Sequence, residues 1–482
     1  MDYDLLIDLG TGSTRAALVD PGGKILAMRS FLNRYYRDEA YPDAQFFLPQ
    51  EWQSEILRLC LDLHAEHPDI RVRCVSAAGA RQSIVLLDAA GKPFYGLPNI
   101  DNRGREFMGD IGPQDLIYRC SGKWVTEDFP AAKLLGLRKR RPELYSRIHT
   151  VLSLSGFIAW IFTGIACFEP SQACETQLYD LEKGDWSDFL CETYGIDPAF
   201  LPPLKMAGEQ VGPILPDLAE DLGMSRDACF VAGGADTQCG LLQTGIMPGD
   251  IAIVSGTTTP VTALTDHKFY DEHQRVWVDA NLGAQGYLIE MNPGVTGLNY
   301  QRIKDVLAPD LSYEALEREY SRKQNFLATA SFSSLLFYER RSLRHGGFFL
   351  PSPWPDSMTR VDLLWAALAD IACSTYEQLQ RLIDLSGHQR DYVFGCGGGL
   401  RSGTLCQMIA DLSGLELRLL PGFEQATLYG LTVLCNHACH VDTPAAEGSV
   451  LRYTPRGGDL IRRYHERWRE ERLSLNPPVS NN

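Results

Sequence analysis

The sequence predicts an α/β protein built from two large domains with a cleft between them. Three observations carry this expectation. The chain has 482 residues, roughly three times a typical single domain. Strand-like runs separated by turns of Gly, Thr and Ser alternate with segments of helical periodicity, the pattern of sheets packed against helices. A strand, small-residue turn, strand pattern at residues 4–19 is loosely echoed at residues 249–264, which reads as a duplication at domain scale. The echo sets the boundary near "TGIMPGD", so the expected domains are residues 1–245 and 246–482.

Residues 5–9 and 15–19 are apolar runs around a Gly, Thr and Ser turn and predict a hairpin, which residues 24–29 extend beyond Pro21-Gly22-Gly23. Residues 49–66 place Trp52, Ile56, Leu57, Leu59, Cys60 and Leu63 near one face of a helix. A strand at 72–78 follows, then a hairpin that leaves residues 83–87 and turns at 88–92. In the second half, residues 361–385, 403–412 and 427–437 have helical periodicity. The tail, 474–482, is rich in Pro, Ser and Asn and is expected to fray.

Composition excludes several classes of function. Hydrophobic residues make up 45% and charged residues 22%, as in an ordinary globular protein. Lys and Arg total 45 against 61 Asp and Glu, a net charge of −16 that disfavours a nucleic-acid partner. The opening "DYDLLIDLG" has no basic, apolar or small-residue signal segment. The most apolar stretch, 151–165, is short and holds two glycines, so no membrane span is expected. The thirteen cysteines contain no C-x-x-C pair and read as free thiols of a reducing compartment, the cytoplasm. Cys435, His437, Cys439 and His440 in "CNHACH" are zinc-ligand types, but they lack a second matching pair and lie in an expected helix, so buried thiols are the expectation.

No G-x-x-x-x-G-K-[ST] occurs, and "GTGSTR" lacks the third Gly of a dinucleotide fingerprint. What remains is a set of small-residue turns at strand ends. In the octet Asp8, Leu9, Gly10, Thr11, Gly12, Ser13, Thr14 and Arg15, glycines let the backbone approach a phosphate, amides and hydroxyls can donate to it, and Asp8 can hold magnesium through water. The alternative is a tight polar hairpin. Ser255, Gly256, Thr257, Thr258 and Thr259 occupy the matching place in the second half and form a second candidate clamp. Gly397, Gly398 and Gly399 end an apolar run in a turn open to a flat adenine or a ribose, or else permit close helix–strand packing. Asp236 follows Gly233-Gly234-Ala235 after an apolar strand, as a cleft carboxylate or as a helix cap.

Together these residues resemble the FGGY family of carbohydrate kinases, within the actin, sugar kinase and Hsp70 superfamily, almost from end to end. "DLGTGSTR" resembles the first phosphate motif, "SGTTT" the second, "GCGGGLRSGTLCQMIADLSG" the adenosine motif and "EQATLYGLTVL" the helix closing that region. "GGADTQCGLLQTG" resembles the segment of the catalytic base, and "EPSQACETQLYDLEKGDW" and "LPPLKMAGEQVGPI" resemble the segments before it. The resemblance implies two actin-like, ribonuclease H-like ATPase domains. It also implies transfer of the ATP γ-phosphoryl group, with Mg2+, to a hydroxyl of a small carbohydrate or polyol. Asp236 would be the base, Asp8 and the two clamps would hold metal and phosphates, the 397–399 glycines would receive adenosine, and Arg81, Gln82, Asp101 and Asn102 would grip the sugar.

Departures from the family pattern fall at the sugar. Xylulokinases carry Gln-Met-His-Gly where this chain has Gly79-Ala80-Arg81-Gln82, and Trp where it has Asn99. Gly136 replaces another usual Trp, whereas Asp101, Arg103, Pro130 and Lys133 fit. The Arg in the first of these motifs and the Asn-x-Asp-x-Arg of the second are closer to autoinducer-2 kinases, which phosphorylate a small open-chain substrate. For Arg81 and Arg103 the alternative is a role as paired surface cations. An autoinducer-2 kinase proper and a non-enzymatic, Hsp70-like ATPase are the rival readings, and a homodimer is left open.

Overall fold

Leu5, Leu6, Ile7 and Leu9 are buried on both sides of their strand, which places Asp2–Leu9 in the interior of a sheet. In the computed structural model, which describes all residues except 1, 42, 283–285, 338, 339, 344, 445–447 and 476–482, this strand is central to a six-stranded mixed sheet. On one side it pairs antiparallel with Ser13–Val19, which pairs with Ile25–Leu32. On the other it runs parallel to Arg71–Gly79, which runs parallel to Met224–Ala235. Most of the tail expected to fray lies outside the described residues.

The second half repeats this order. Ile251–Val254 pairs antiparallel with Val261–Thr265 and parallel with Tyr392–Cys396, which runs parallel to Glu416–Leu419. Tyr287–Met291 and Trp277–Ala280 extend this sheet at one end and Leu451–Tyr453 at the other, giving seven strands. The α/β expectation is met, and the echo at 249–264 is the sequence trace of two sheets with one shared core topology.

Helix Pro49–Glu66 forms with Trp52, Ile56, Leu59, Cys60 and Leu63 buried on the expected face, whereas Leu57, at the edge of that face, is only half-buried. Helix Leu154–Thr163 accounts for the most apolar stretch; it is ten residues long and buried in the first domain's core. Among the described residues, no helix is long and apolar enough to cross a membrane. Helix Arg360–Ser386 opens with a capping box in which Thr359 and Asp362 satisfy each other's backbone donors.

Two further helices join the halves. Asp236–Thr244 leaves the end of Met224–Ala235, and Ala426–Ala438 follows the equivalent strand, Glu416–Leu419, of the second sheet. The two helices cross in backbone contact at Gly430, where a side chain would collide with the Cys239 carbonyl. The helix that begins with Asp236 is thereby wedged between the sheets.

Candidate active site

The turns singled out by sequence lie at the carboxyl ends of the central strands of both sheets, where open α/β sheets leave a crevice. Asp8 is the last but one residue of its strand and is the direct cross-strand partner of Arg15. The two form a salt bridge, with Asp8 buried, and the other arm of Arg15 donates to Gln425 Oε1 at 2.8 Å. Gln425 belongs to the second half, so the first candidate clamp is tied across the cleft through its own arginine.

The glycines divide into two kinds. Gly397 (φ 99°) and Gly399 face the second clamp, and a Cβ on either would collide with Ser255. Ser255 N–H donates to Cys396 O at 2.8 Å and Gly399 N–H donates to Ser255 O at 3.0 Å, so these two turns are stacked backbone on backbone. Gly12, Gly256 and Gly398, one from each turn, are exposed; a Cβ there would meet nothing within 4 Å, and none has positive φ. Neither packing nor backbone conformation within the chain requires glycine at these three positions. Thr14 is turned inward, donating from Oγ1 to Asn33 Oδ1 at 2.8 Å, and so does not present its hydroxyl at the turn.

Asp236 is the first residue of the inter-sheet helix, whose N-cap is Ala235, and its Oδ1 accepts the N–H of its neighbour Thr237 at 2.8 Å without making a side-chain cap. Burial pushes its pKa up to about 6, against the pull of Arg81 and with a further push from Asp8. Arg81 makes a two-pronged pair with Glu290 of the second half (2.6 and 2.9 Å) and lies 3.3 Å from Glu175. Gln82, at φ 64°, donates to the other Glu175 oxygen at 3.0 Å. Behind them, fully buried Lys123 pairs with Asp279, again across the halves. Burial and the neighbouring Asp279 carboxylate push Glu175 up to about 8.

Asp101 and Asn102 are placed differently. Asp101 is fully buried; one oxygen accepts the Gln45 N–H (2.9 Å) and the other accepts Arg103 Nε (2.7 Å). Arg103 is likewise buried, so neither it nor Arg81 is a surface cation, and that alternative is corrected. Lys133 donates to Gln82 O and Pro98 O, both at 2.8 Å, joining this buried pair to the Arg81 loop. Asn102 is half-buried beside it. Asn99 donates to Thr11 Oγ1 at 2.8 Å, which links the loop before Asp101 to the first clamp, and its own Oδ1 is buried without a partner.

Glu290, Lys123, Asp279 and Glu175 are site groups that the sequence reading did not single out. Glu175 lies inside a quoted segment, but Glu290 and Asp279 lie on strands whose short apolar runs carry no turn chemistry. Behind Asp236, Glu169 accepts from Ser171 N–H (2.7 Å) and hydroxyl, while that hydroxyl accepts Ala235 N–H at 2.9 Å. This bracket fixes the turn that presents Asp236.

Comparison with known proteins gives a consistent answer. Residues 3–243 match the N-terminal domain of the FGGY family of carbohydrate kinases, and residues 252–439 match its C-terminal domain. YoaC of Bacillus subtilis (strain 168), provisionally named a sugar kinase, is 37% identical over 469 residues, 97% of this chain and 96% of its own. The autoinducer-2 kinase of Salmonella choleraesuis (strain SC-B67) is 26% identical over 89% of this chain and 85% of its own. Among solved structures, ligand-bound xylulose kinase from Lactobacillus acidophilus superimposes with a TM-score of 0.83 at 17% identity, covering 99% of both chains. Plasmodium falciparum glycerol kinase with ADP gives 0.84 at 16% identity, also over 99% of both.

Proposed function

This chain belongs to the FGGY family of carbohydrate kinases and phosphorylates a carbohydrate hydroxyl from ATP, and from that premise we propose that Asp236 is its general base and that its acceptor is a small, neutral polyol or open-chain ketose. The observation that carries the reading is the placement of Asp236, whose pKa of about 6 suits a base at neutral pH. It lies in the field of Arg81 from the first half and Glu290 from the second.

Asp236 takes the proton of the acceptor hydroxyl as the oxygen attacks the γ-phosphorus, the bond to the bridging oxygen breaks and ADP leaves. Arg81 and Gln82, both held by Glu175, orient the acceptor. Asn102 completes that wall, while Asp101, with both oxygens engaged, acts by fixing Arg103 and the loop rather than by free contact. Phosphoryl transfer needs positioning and charge stabilisation above all. Exposed Gly12, Gly256 and Gly398 let phosphates and adenosine approach the backbone, with Gly10, Thr11, Ser13, Thr257 and Thr258 as neighbouring donors. Gly397 and Gly399 act indirectly, by seating their turn on Ser255.

Asp8 supplies a hard oxygen donor that fits Mg2+ held through water, with the Asp236 carboxyl in its field. Bound there, Mg2+ would offset phosphate charge. The thirteen cysteines are free thiols, which suits the cytoplasm as the site of action.

The neutral acceptor follows from charge. Arg81 is already paired with Glu290 and Glu175, and Asp8 and Asp236 add negative charge, so among the described residues of this wall a carboxylate on the acceptor meets no unpaired cation. Coupled ADP detection over a panel of polyols, ketoses and aldonates tests the reading. Turnover is expected with one or more neutral members; a panel in which aldonates lead would overturn the neutral acceptor.

A further inference from the structure

Four thiols meet at the seam between the halves. Cys74, midway along Arg71–Gly79, is in register with Cys229 of Met224–Ala235, and their sulfurs are 4.0 Å apart. From the other side, helix Ala426–Ala438 brings buried Cys435 to the same sulfur. Cys439, which ends that helix, places its Sγ 3.2 Å from Cys74 Sγ across a sequence separation of 365. Cys74, Cys229 and Cys435 are buried, whereas Cys439 is partly open to solvent.

A metal ion does not suit this cluster. Ligand atoms of Asp4, Cys74 and Cys435 lie within 4.8 Å of one another. Arg73, however, already holds Asp4 with two prongs (2.9 and 3.0 Å), and its charge acts on Cys74 and Cys439 as well. A metal cation would share the space with a guanidinium. Tetrahedral zinc with Zn–S bonds of about 2.3 Å also holds its sulfurs about 3.8 Å apart, wider than the 3.2 Å pair seen here.

We propose that Cys439 and Cys74 are an oxidation site, converted by a peroxide into a disulfide that staples the last inter-sheet helix to the first sheet. The Cys439 thiolate attacks a peroxide oxygen; the O–O bond breaks, an alcohol or water leaves, and Cys439 becomes a sulfenic acid. The Cys74 sulfur then attacks the Cys439 sulfur, hydroxide departs and takes up the Cys74 proton as water, and the S–S bond forms. In sum, two thiols are oxidised by two electrons and one peroxide is reduced. The sulfurs close from 3.2 Å to roughly 2.05 Å. Solvent access selects Cys439 as the first to react. Cys120, the other partly open thiol, faces Ser187 Oγ at 3.5 Å and has a hydroxyl, not a sulfur, as that neighbour.

The staple acts where the halves meet. Asn436 on the same helix already donates to Pro21 O at 2.8 Å and accepts from Arg73. The helix crosses the Asp236 helix at Gly430, and Cys74 lies on the strand that leads to Gly79 and Arg81. Should the halves close on their ligands, a covalent bond there restrains the last inter-sheet helix against the first sheet; this consequence rests on the proposed site, whereas the bond itself does not.

The full chain is treated with hydrogen peroxide, its remaining thiols are blocked, and a non-reducing digest is mapped by mass spectrometry. A Cys74–Cys439 linked peptide is expected from the native chain and from Cys229→Ser, and none from Cys439→Ser. Hydrogen exchange across residues 426–440 should slow at least tenfold on oxidation and recover with dithiothreitol. ADP release should fall at least fivefold in the native chain and stay unchanged in Cys439→Ser. Absence of the linked peptide overturns the oxidation site. A linked peptide with unchanged exchange and unchanged ADP release overturns the staple as a control on closure.

Discussion

Arg81 and Glu290 stand 209 residues apart, one in each half of the chain, and meet in a two-pronged ion pair of 2.6 and 2.9 Å beside the carboxylate of Asp236. The pair is nearly dry, with Glu290 buried and Arg81 largely so. Its geometry depends on the fork of a guanidinium, which a lysine cannot reproduce. Arg81→Lys is therefore expected to raise the acceptor KM at least tenfold while leaving the KM for ATP within about twofold. Steady-state kinetics with each substrate varied in turn checks this, and an equal change in both constants would show that Arg81 serves the fold and not the acceptor.

The same pair sets charge preference. Like charges brought together in a closed site cost several kcal/mol, so an aldonate is expected to show kcat/KM at least 100-fold below that of the matching neutral polyol. Glu290→Gln frees part of the Arg81 charge and should narrow that gap at least tenfold. An unchanged ratio would mean that selectivity comes from pocket shape.

How much of this was legible in the sequence depends on how local the signal was. The Asp8–Arg15 pairing is a hairpin register, and glycine turns mark their own strands, so the turns at 8–15 and 255–259 and the strands that flank them could be read directly. Helices such as Arg360–Ser386 declare themselves through a capping box and a long apolar stripe. Glu290 could not be read, because its role is set by a fold-back across the cleft that no short-range pattern encodes. For the Gly397–Gly399 triplet the sequence allows either a nucleotide surface or close packing; contact with Ser255 divides it into two seating glycines and one exposed glycine.

That division is testable. Gly398→Ala adds a methyl group where nothing within 4 Å receives it, so the protein should keep its melting temperature within about 2 °C and lose at least tenfold in ATP affinity. Gly397→Ala has to place an alanine at φ 99° against Ser255 and should lower the melting temperature by several degrees. Calorimetry beside ATP titration separates the two; equal effects would place both glycines in the same role.

Closure of the cleft should centre on the segment after the Asp236 helix. Gly245 (φ 65°) ends that helix and Gly249 (φ 91°) follows, both with open space around them, so rotation there meets no side chain. Small-angle scattering should give a smaller radius of gyration with a non-hydrolysable ATP analogue and acceptor together than with neither. An unchanged radius would indicate that the ligand-free protein is already closed.

Asp236 joins rate, pH and stability in one side chain. Asp236→Asn keeps size but removes the basic oxygen, so kcat should fall by roughly 10² to 10⁴ while ATP and acceptor still bind. In the native enzyme the base is ionised only above its pKa, so kcat should decline as pH drops through about 6. Stability runs the other way. Because folding raises this pKa from 3.8 to about 6, the contribution of Asp236 is most favourable below the unfolded value and is lost as pH rises through the folded one. At pH 8 the fold carries a desolvated carboxylate at a cost on the order of 1–3 kcal/mol, from about two pKa units discounted for the partial exposure of the group. Asp236→Asn escapes that cost, so the inactive variant should melt higher than the native enzyme at pH 8 and level with it near pH 4. Melting curves at the two pH values decide the matter: a variant less stable at pH 8 would return Asp236 to a structural role at the start of its helix, and near-normal kcat would remove it from the mechanism.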